Sequence, residues 1–476
     1  MLGLEMEIKD KKEFIALAIF LAALFVFFII LNNINPLLFW DENIYLGNAR
    51  SHITQSNFTE DFRFPLLEYI LALVWFFTGE SIFVARLIII IFTLASVFFL
   101  YLISKKFLPK NLSFLLCILF SLCPIVLLWG FHAYSDTPAM FFIILSFYFI
   151  LKLENKNILF IALSGFAAAL AFLTRFPAAL FALSLSLYFV FNKKFKALGI
   201  FILFFFIALI PWLIYNKIIY GNLIWDFQEQ YFVISKWTFA EPVMKQINNL
   251  FSSLGYFIPF LMLFGISALT RKKHKFNFLI LIYTIISFIY YFFFVNLKLS
   301  RYYLSFLPFI FLLSFQGLFW FKSRRNKAIR FLFIFLTIAL IINAVFIFND
   351  FVKETVKRSL CDVSGSMPRA IDYLSQYEFV SNGTNPIFSN SWPWFGYYLN
   401  VNASSIWTEN ITELIEFYDP DYFVHSNQRS EFYYKNVLDN ARELKLERVF
   451  SDECDQVISI YKVKASSKSS FGWKPT

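Results

Sequence analysis

Asp41 and Glu42 are neighbours in the stretch FWDENIYLGNA, residues 39–49. Adjacent carboxylates at the mouth of a helix bundle serve as a general base and a supporting partner. An Asp ahead of a helical stretch also serves as an N-cap, and both readings stay open. Arg63 in RFPLLEY follows about twenty residues later. A cation near an acid suits a phosphate group; an interfacial, snorkelling arginine is the alternative. Asp136 in AYSDTP opens another apolar run, with Pro138 in the first turn as a helix-start signal. Arg175 in LTRFP and Arg301-Tyr302 in KLSRYY stand at the ends of apolar runs, where arginine also binds lipid headgroups without catalysis. An acid that takes a proton from an acceptor, beside arginines that stabilise a departing phosphate, is the kit for moving a group off an anionic carrier.

The elements that must position these residues are membrane helices. The chain of 476 residues is 59% hydrophobic and only 16% charged, with 68 Phe. Soluble domains carry about 25% charged residues, so disordered, disulfide-scaffold and ordinary cytosolic classes are excluded. A helix needs about 20 apolar residues to cross the hydrocarbon. Eleven candidate spans lie near 14–31, 82–103, 112–129, 134–151, 158–173, 177–191, 197–215, 250–269, 276–295, 302–321 and 328–348. The first lacks a small-residue cleavage site and reads as an uncleaved span. The segment 158–192 has basic flanks at both ends, which requires two crossings with a turn at Thr174–Pro177.

Loops on the N-terminal side hold 20 Lys and Arg, and the longer opposite loops before residue 350 hold 8. The positive-inside rule then places the N-terminus in the cytoplasm of a plasma-membrane protein, and eleven crossings put the C-terminus outside. On this topology Asp41, Glu42, Arg63, Asp136, Arg175 and Arg301 all face outward. Charges at membrane depth are costly and mark function by default. The net charge of +10 reflects the short basic loops, so nucleic acid is not a partner. In the first outer loop, Glu42–Gln55 and Pro65–Phe77 read as short interfacial helices.

From residue 350 the composition turns mildly acidic, with 13 basic and 17 acidic residues. Expected strands at Ile387–Ser389, Ser405–Trp407, Tyr422–His425 and Val457–Val463 alternate with helices at Met367–Tyr377, Thr412–Tyr418 and Ser430–Leu444, the signature of a small α/β domain. The expected organisation is a membrane domain over 1–349, an extracytoplasmic α/β domain over 350–464 and a disordered tail over 465–476. Cys117 and Cys123 read as buried packing residues. Cys361 and Cys454 lie in the oxidising outer region, where a disulfide can form. No cysteine or histidine cluster has metal spacing.

Over residues 10–350 the chain resembles the GT-C glycosyltransferases that include protein O-mannosyltransferases and the lipid A aminoarabinose transferase. Six features carry the resemblance in order: Asp41, Glu42, Tyr45 and Ala49; Arg63 before Pro65 and Leu66; Gly79 to Arg86 in TGESIFVAR; Asp136; Leu173, Thr174, Arg175 and Pro177; and Arg301-Tyr302 before Leu307 and Pro308. The resemblance implies an α-helical polytopic GT-C fold. It implies inverting transfer of one sugar from a polyprenyl- or dolichyl-phosphate carrier to a hydroxyl of a glycan, lipid or protein on the outer face. By motif, Asp41 is the general base with Glu42 beside it, and Asp136 is a second site acid. Tyr45, Arg63, Arg175, Arg301 and Tyr302 contact donor or phosphate. No cofactor is required; some relatives bind a divalent metal, and only Asp41, Glu42 and Asp136 stand ready to hold one. Two alternatives remain. A transporter or lipid-linked sugar flippase would use the same charges as a pathway. An oligosaccharyltransferase-like enzyme is suggested by SWPWFGYY at 391–398, where Phe395 replaces the Asp of the WWDYG motif and an aromatic helix is expected.

Overall fold

In hydrocarbon every backbone polar group must be satisfied within its own segment, so the apolar runs fold as helices. The computed structural model describes residues 11–54, 56–60, 63–152, 157–236, 242–254, 258, 261–262, 264–266, 276–323, 327–377, 386–406, 410–427, 432–452 and 455–464. In chain order the first ten α-helices are α1 (Lys11–Ile34), α2 (Trp40–Ser51), α3 (Leu66–Thr78), α4 (Ile82–Ser104), α5 (Lys110–Ser121), α6 (Pro124–Trp129), α7 (Asp136–Leu151), α8 (Ile158–Thr174), α9 (Ala179–Phe191) and α10 (Phe195–Tyr220). Later helices cover Trp225–Lys236, Val243–Leu254, Asn277–Ile289, Leu307–Lys322 and Lys327–Ser364. Among the described residues five helices are long and apolar enough to cross a membrane alone, and shorter apolar helices accompany them. The chain is a multi-pass membrane protein.

Two expected spans differ in detail. The run 112–129 is broken at Leu122–Cys123, because Pro124 lacks an N–H and starts a new helix, α6. The last span does not stop at 348 but continues as one helix to Ser364, since VKETVKRSL extends it with polar helix formers. The expected span 250–269 is described only at 250–254, 258, 261–262 and 264–266, and the expected tail 465–476 lies outside the described residues. The turn expected at Thr174–Pro177 is present: α8 ends at Thr174, Arg175 is extended at φ −157°, and a short 3-10 turn at Phe176–Ala178 leads into α9.

Contacts divide the chain into two compact units. The first comprises Met1–Ile30, Phe62–Leu67 and Arg86–Val352. Without a hydrophobic force between helices in lipid, packing depends on small residues and interhelical hydrogen bonds. Ser146 of α7 meets Ser164 of α8 at 2.8 Å. At Gly165 of α8 a Cβ would lie 2.4 Å from the Phe201 carbonyl oxygen of α10, so the two backbones touch.

The second unit comprises Leu31–Asp61, Glu68–Ala85 and Lys353–Thr476. Among the described residues its five strands are β1 (Ile387–Ser389), β2 (Ala403–Ser404), β3 (Tyr422–Ser426), β4 (Leu444–Ser451) and β5 (Val457–Val463), in the order β2-β1-β3-β5-β4. β2, β1 and β3 run parallel; β5 and β4 are antiparallel. The period of two buries alternate residues on opposite faces. Ile387, Val424 and Ile460 pack with Met367, Leu374 and Phe395 on one face. Phe388, Phe423 and Tyr461 pack with Leu414 and Leu438 on the other. The expected helix Ser430–Leu444 ends at Asn440, and Leu444–Ser451 is a strand the sequence pattern concealed. β4 lies at the sheet edge, where Lys445, Glu447 and Arg448 interrupt the apolar alternation and guard against edge pairing.

Gly165→Ala is expected to force α8 off α10 and lower stability by about 1–3 kcal/mol, the usual cost of overpacking. Gly199→Ala on α10 meets nothing within 4 Å and serves as the neutral control. Thermal unfolding of both variants in detergent checks this; equal midpoints refute the close contact.

Candidate active site

Within the first unit, Asp136 is the first residue of α7, where the helix dipole favours an acid. Its Oδ2 accepts from Arg175 Nη1 at 3.0 Å. Ser135, not Asp136, is the N-cap residue, and Asp136 stands one residue inside the helix with its carboxylate on the arginine. Arg175 sits in the break between α8 and α9, its guanidinium 5.1 Å from the Tyr302 ring centroid. Its Nε is buried and makes no hydrogen bond among the described residues.

Arg301 and Tyr302 come from a 3-10 turn, Ser300–Ser305, that packs on α6 and α7. The Arg301 guanidinium lies 4.7 Å from the Tyr134 centroid and 5.7 Å from that of Trp129, a cation held over two aromatic faces. Tyr302 stacks on Tyr291 at 5.4 Å. Arg63 is half-buried. The next residue, Phe64, stacks on Trp212 at 5.7 Å and lies 6.2 Å from Phe176, the residue after Arg175. Aromatic packing thus brings the chain positions of Arg63 and Arg175 together.

Asp41, Glu42 and Tyr45 gather in the second unit, all buried in α2. The N-cap of α2 is Phe39, so the expected capping role of Asp41 is corrected: Asp41 lies inside the first turn. Glu42 does the capping instead, its Oε2 accepting from the Phe39 N–H at 2.9 Å. At the other end of α2, Arg50 makes a bidentate pair with Glu80 through Nε at 2.9 Å and Nη2 at 2.5 Å. Tyr397 donates its hydroxyl to Glu80 at 3.0 Å. Burial alone would raise the Glu80 carboxyl, but the hydrogen bonds and charge of Arg50 and the Tyr397 hydroxyl hold it below its ordinary value. The same pair holds Arg50 above its ordinary value against the effect of burial.

Two cations belong to the first unit's buried network that the sequence marked only in passing. Arg86, in the TGESIFVAR motif, is 0% exposed and lies 5.8 Å from the Phe131 ring. Lys298 is buried and donates to the carbonyls of Tyr291, Phe292 and Val295, closing the end of the helix before it. A cation at membrane depth was the signal available for both. The Cys361 side chain and Cys454 lie outside the described residues. Among the described residues no three His, Cys, Asp or Glu side chains gather as metal ligands.

Residues 63–215 match the family model of dolichyl-phosphate-mannose-protein mannosyltransferases. Among curated proteins none matches the sequence. The crystal structure of ArnT from Cupriavidus metallidurans bound to undecaprenyl phosphate superposes with a TM-score of 0.66, over 95% of this chain and 98% of ArnT, at 12% identity. The chain has the GT-C fold. The apo form of that ArnT matches this chain with a TM-score of 0.67 at 13% identity, over the same shares of both chains. The Archaeoglobus fulgidus oligosaccharyltransferase tethered to an acceptor peptide shares the fold more loosely, with a TM-score of 0.54, 10% identity, and coverage of 95% of this chain and 75% of that one.

Two outcomes follow for these clusters. Asp136→Asn leaves a buried guanidinium uncompensated and is expected to destabilise by about 3–5 kcal/mol; Asp136→Asn with Arg175→Gln recovers much of the loss in thermal unfolding. An uncoupled, additive double variant refutes the pairing. A carboxyl held low in the fold stabilises above its ordinary range, and that contribution is lost as pH falls through its depressed value. The unfolding midpoint of wild type is therefore expected to fall more steeply between about pH 5 and pH 3 than that of Glu80→Gln. Parallel curves refute it.

Proposed function

We propose that this protein is an inverting glycosyltransferase. It moves one sugar from a polyprenyl- or dolichyl-phosphate carrier to a hydroxyl of a protein, lipid or glycan on the outer face of the plasma membrane, with its N-terminus cytoplasmic. The observation that carries the reading is the Asp136–Arg175–Tyr302 arrangement, with Arg301 caged nearby, in a GT-C fold. Arg63, Asp136 and Arg175 also fall inside the segment matched by the mannosyltransferase model. The undecaprenyl phosphate bound to ArnT supports a lipid-phosphate donor, and the peptide on the archaeal enzyme supports a protein as one acceptor.

Asp41 takes the proton of the acceptor hydroxyl. The hydroxyl oxygen attacks the anomeric carbon as the bond from that carbon to the phosphate oxygen breaks, and the carrier phosphate leaves with the electron pair. Inversion follows from attack opposite the leaving group. Arg175 donates to the phosphate, and its Nε N–H, which makes no hydrogen bond among the described residues, is available for a phosphate oxygen. Asp136 holds Arg175 in place, a positioning role in place of a second base. Arg63 and Arg301 add positive charge, Tyr302 supports the Arg175 guanidinium, Tyr45 contacts the donor, and Glu42 caps the start of α2.

Sugar transfer in proteoliposomes, with a panel of polyprenyl-phosphate sugars and a membrane extract as acceptor, tests this. Asp41→Asn is expected to slow transfer by about 10²–10⁴-fold with donor binding retained. Arg175→Ala is expected to slow it by about 10²–10³-fold. Wild-type rates in Asp41→Asn remove the base. Movement of donors between leaflets without transfer replaces the enzyme with a flippase.

A further inference from the structure

Helix α2 carries the proposed base but has little to hold itself in place. It has twelve residues, a glycine at its middle and a polar composition, and isolated helices of that length are marginal. A general base needs placement to within about 0.5 Å. Something outside α2 must supply that placement.

The helix Trp392–Leu399 grips α2 at three points, all within the second unit. Ahead of the N-terminus of α2, Trp394 donates its indole N–H to the Leu38 carbonyl at 2.8 Å, and the Leu38 N–H donates to the Tyr398 hydroxyl at 3.3 Å. Trp40, next to Asp41, lies edge-on to Trp392 and Trp394 at 6.0 and 5.5 Å. At the middle, Phe58 is 1% exposed and wedged between Gly47 of α2 and Gly396. A Cβ at Gly47 would lie 2.6 Å from the Phe58 ring, and one at Gly396 would lie 2.2 Å from its opposite edge. The ring therefore has no room to retreat from either side. At the C-terminus, Arg50 donates to the Tyr397 carbonyl at 2.9 Å, lies 4.2 Å over the Tyr397 ring, and shares Glu80 with the Tyr397 hydroxyl. The three grips span α2, about 18 Å at 1.5 Å per residue.

We infer that the aromatic helix Trp392–Leu399 is a positioning element for Asp41, with the Phe58 wedge between Gly47 and Gly396 setting the height and roll of α2. The inference rests on the reading of Asp41 as the base. It assigns SWPWFGYY, which lacks the acid of the motif it resembles, a mechanical task. It also explains two glycines inside helices, where glycine costs about 1 kcal/mol against alanine.

The test compares Gly396→Ala, Phe58→Leu and the double variant with wild type, each in full-length form in proteoliposomes. Gly396→Ala is expected to lower kcat by about 10–10²-fold, because a 1 Å misplacement can cost 10²-fold, with KM for the lipid-phosphate sugar within about twofold. The double variant makes room for the new methyl and is expected to regain most of the lost kcat. Hydrogen exchange of the α2 amides is the second readout, independent of turnover: exchange about tenfold faster in Gly396→Ala, and slowed again in the double variant. Wild-type kcat in Gly396→Ala, a double variant no better than the single, or unchanged α2 exchange each overturn the inference. Asp41→Asn in the same assay separates the two failures. Transfer abolished there but untouched by Gly396→Ala sinks only the positioning role; transfer surviving in Asp41→Asn sinks the base and with it this inference.

Discussion

A guanidinium beside hydrocarbon persists only with compensation, and the 3.0 Å contact between Arg175 and Asp136 is the compensation on which this site depends. It needs α7 to begin at residue 136, α8 to stop at residue 174 and the chain to pause in an extended conformation between α8 and α9. Continue α8 by one more turn and the guanidinium rotates away from the carboxylate. Pro177 and Pro138, one shortly after each charged residue, help set those boundaries, because proline is tolerated in a first turn and not inside a helix. Helix termini are thus where this protein concentrates its charge, and the Ser300–Ser305 turn adds Arg301 and Tyr302 by the same device.

That charge is bearable because the surrounding bundle is close-packed and internally bonded. Serines that share hydrogen bonds and a glycine at a backbone contact hold α7, α8 and α10 together without polar cost to lipid. Aromatic packing then does what apolar force cannot do in hydrocarbon, giving direction: Phe64, Phe176 and Trp212 set neighbouring chain positions, and Tyr134 and Trp129 cradle a cation.

The second unit follows different rules, since its helices close around a sheet with both faces buried. α2 belongs to that unit although nearly 350 residues separate it from the helix Trp392–Leu399. Buried Asp41 and Glu42 are tolerated because both lie in the first turn of a helix, facing the positive end of its dipole, with Glu42 bonded to the backbone.

Hydropathy and charge alone determined the membrane class, the position of nearly every helix, the turn at Arg175 and the α/β nature of the C-terminal region. These are one-dimensional properties: a span is a length of apolar chain, and a strand between turn residues is a short alternation. The residues of the candidate site were legible too, because a charge next to an apolar run stands out in a sequence where only 16% of residues are charged. Tertiary structure alone decided the partners. Asp136 pairs with Arg175, Glu42 caps where Asp41 was the candidate, and Lys298 closes a helix end. It decided the edge strand β4, whose charges hide its alternation, and the assignment of α2 to the C-terminal sheet's unit. Partnership between residues 39 or 347 positions apart depends on where helices end and which small side chains let them approach, and no local pattern encodes that geometry.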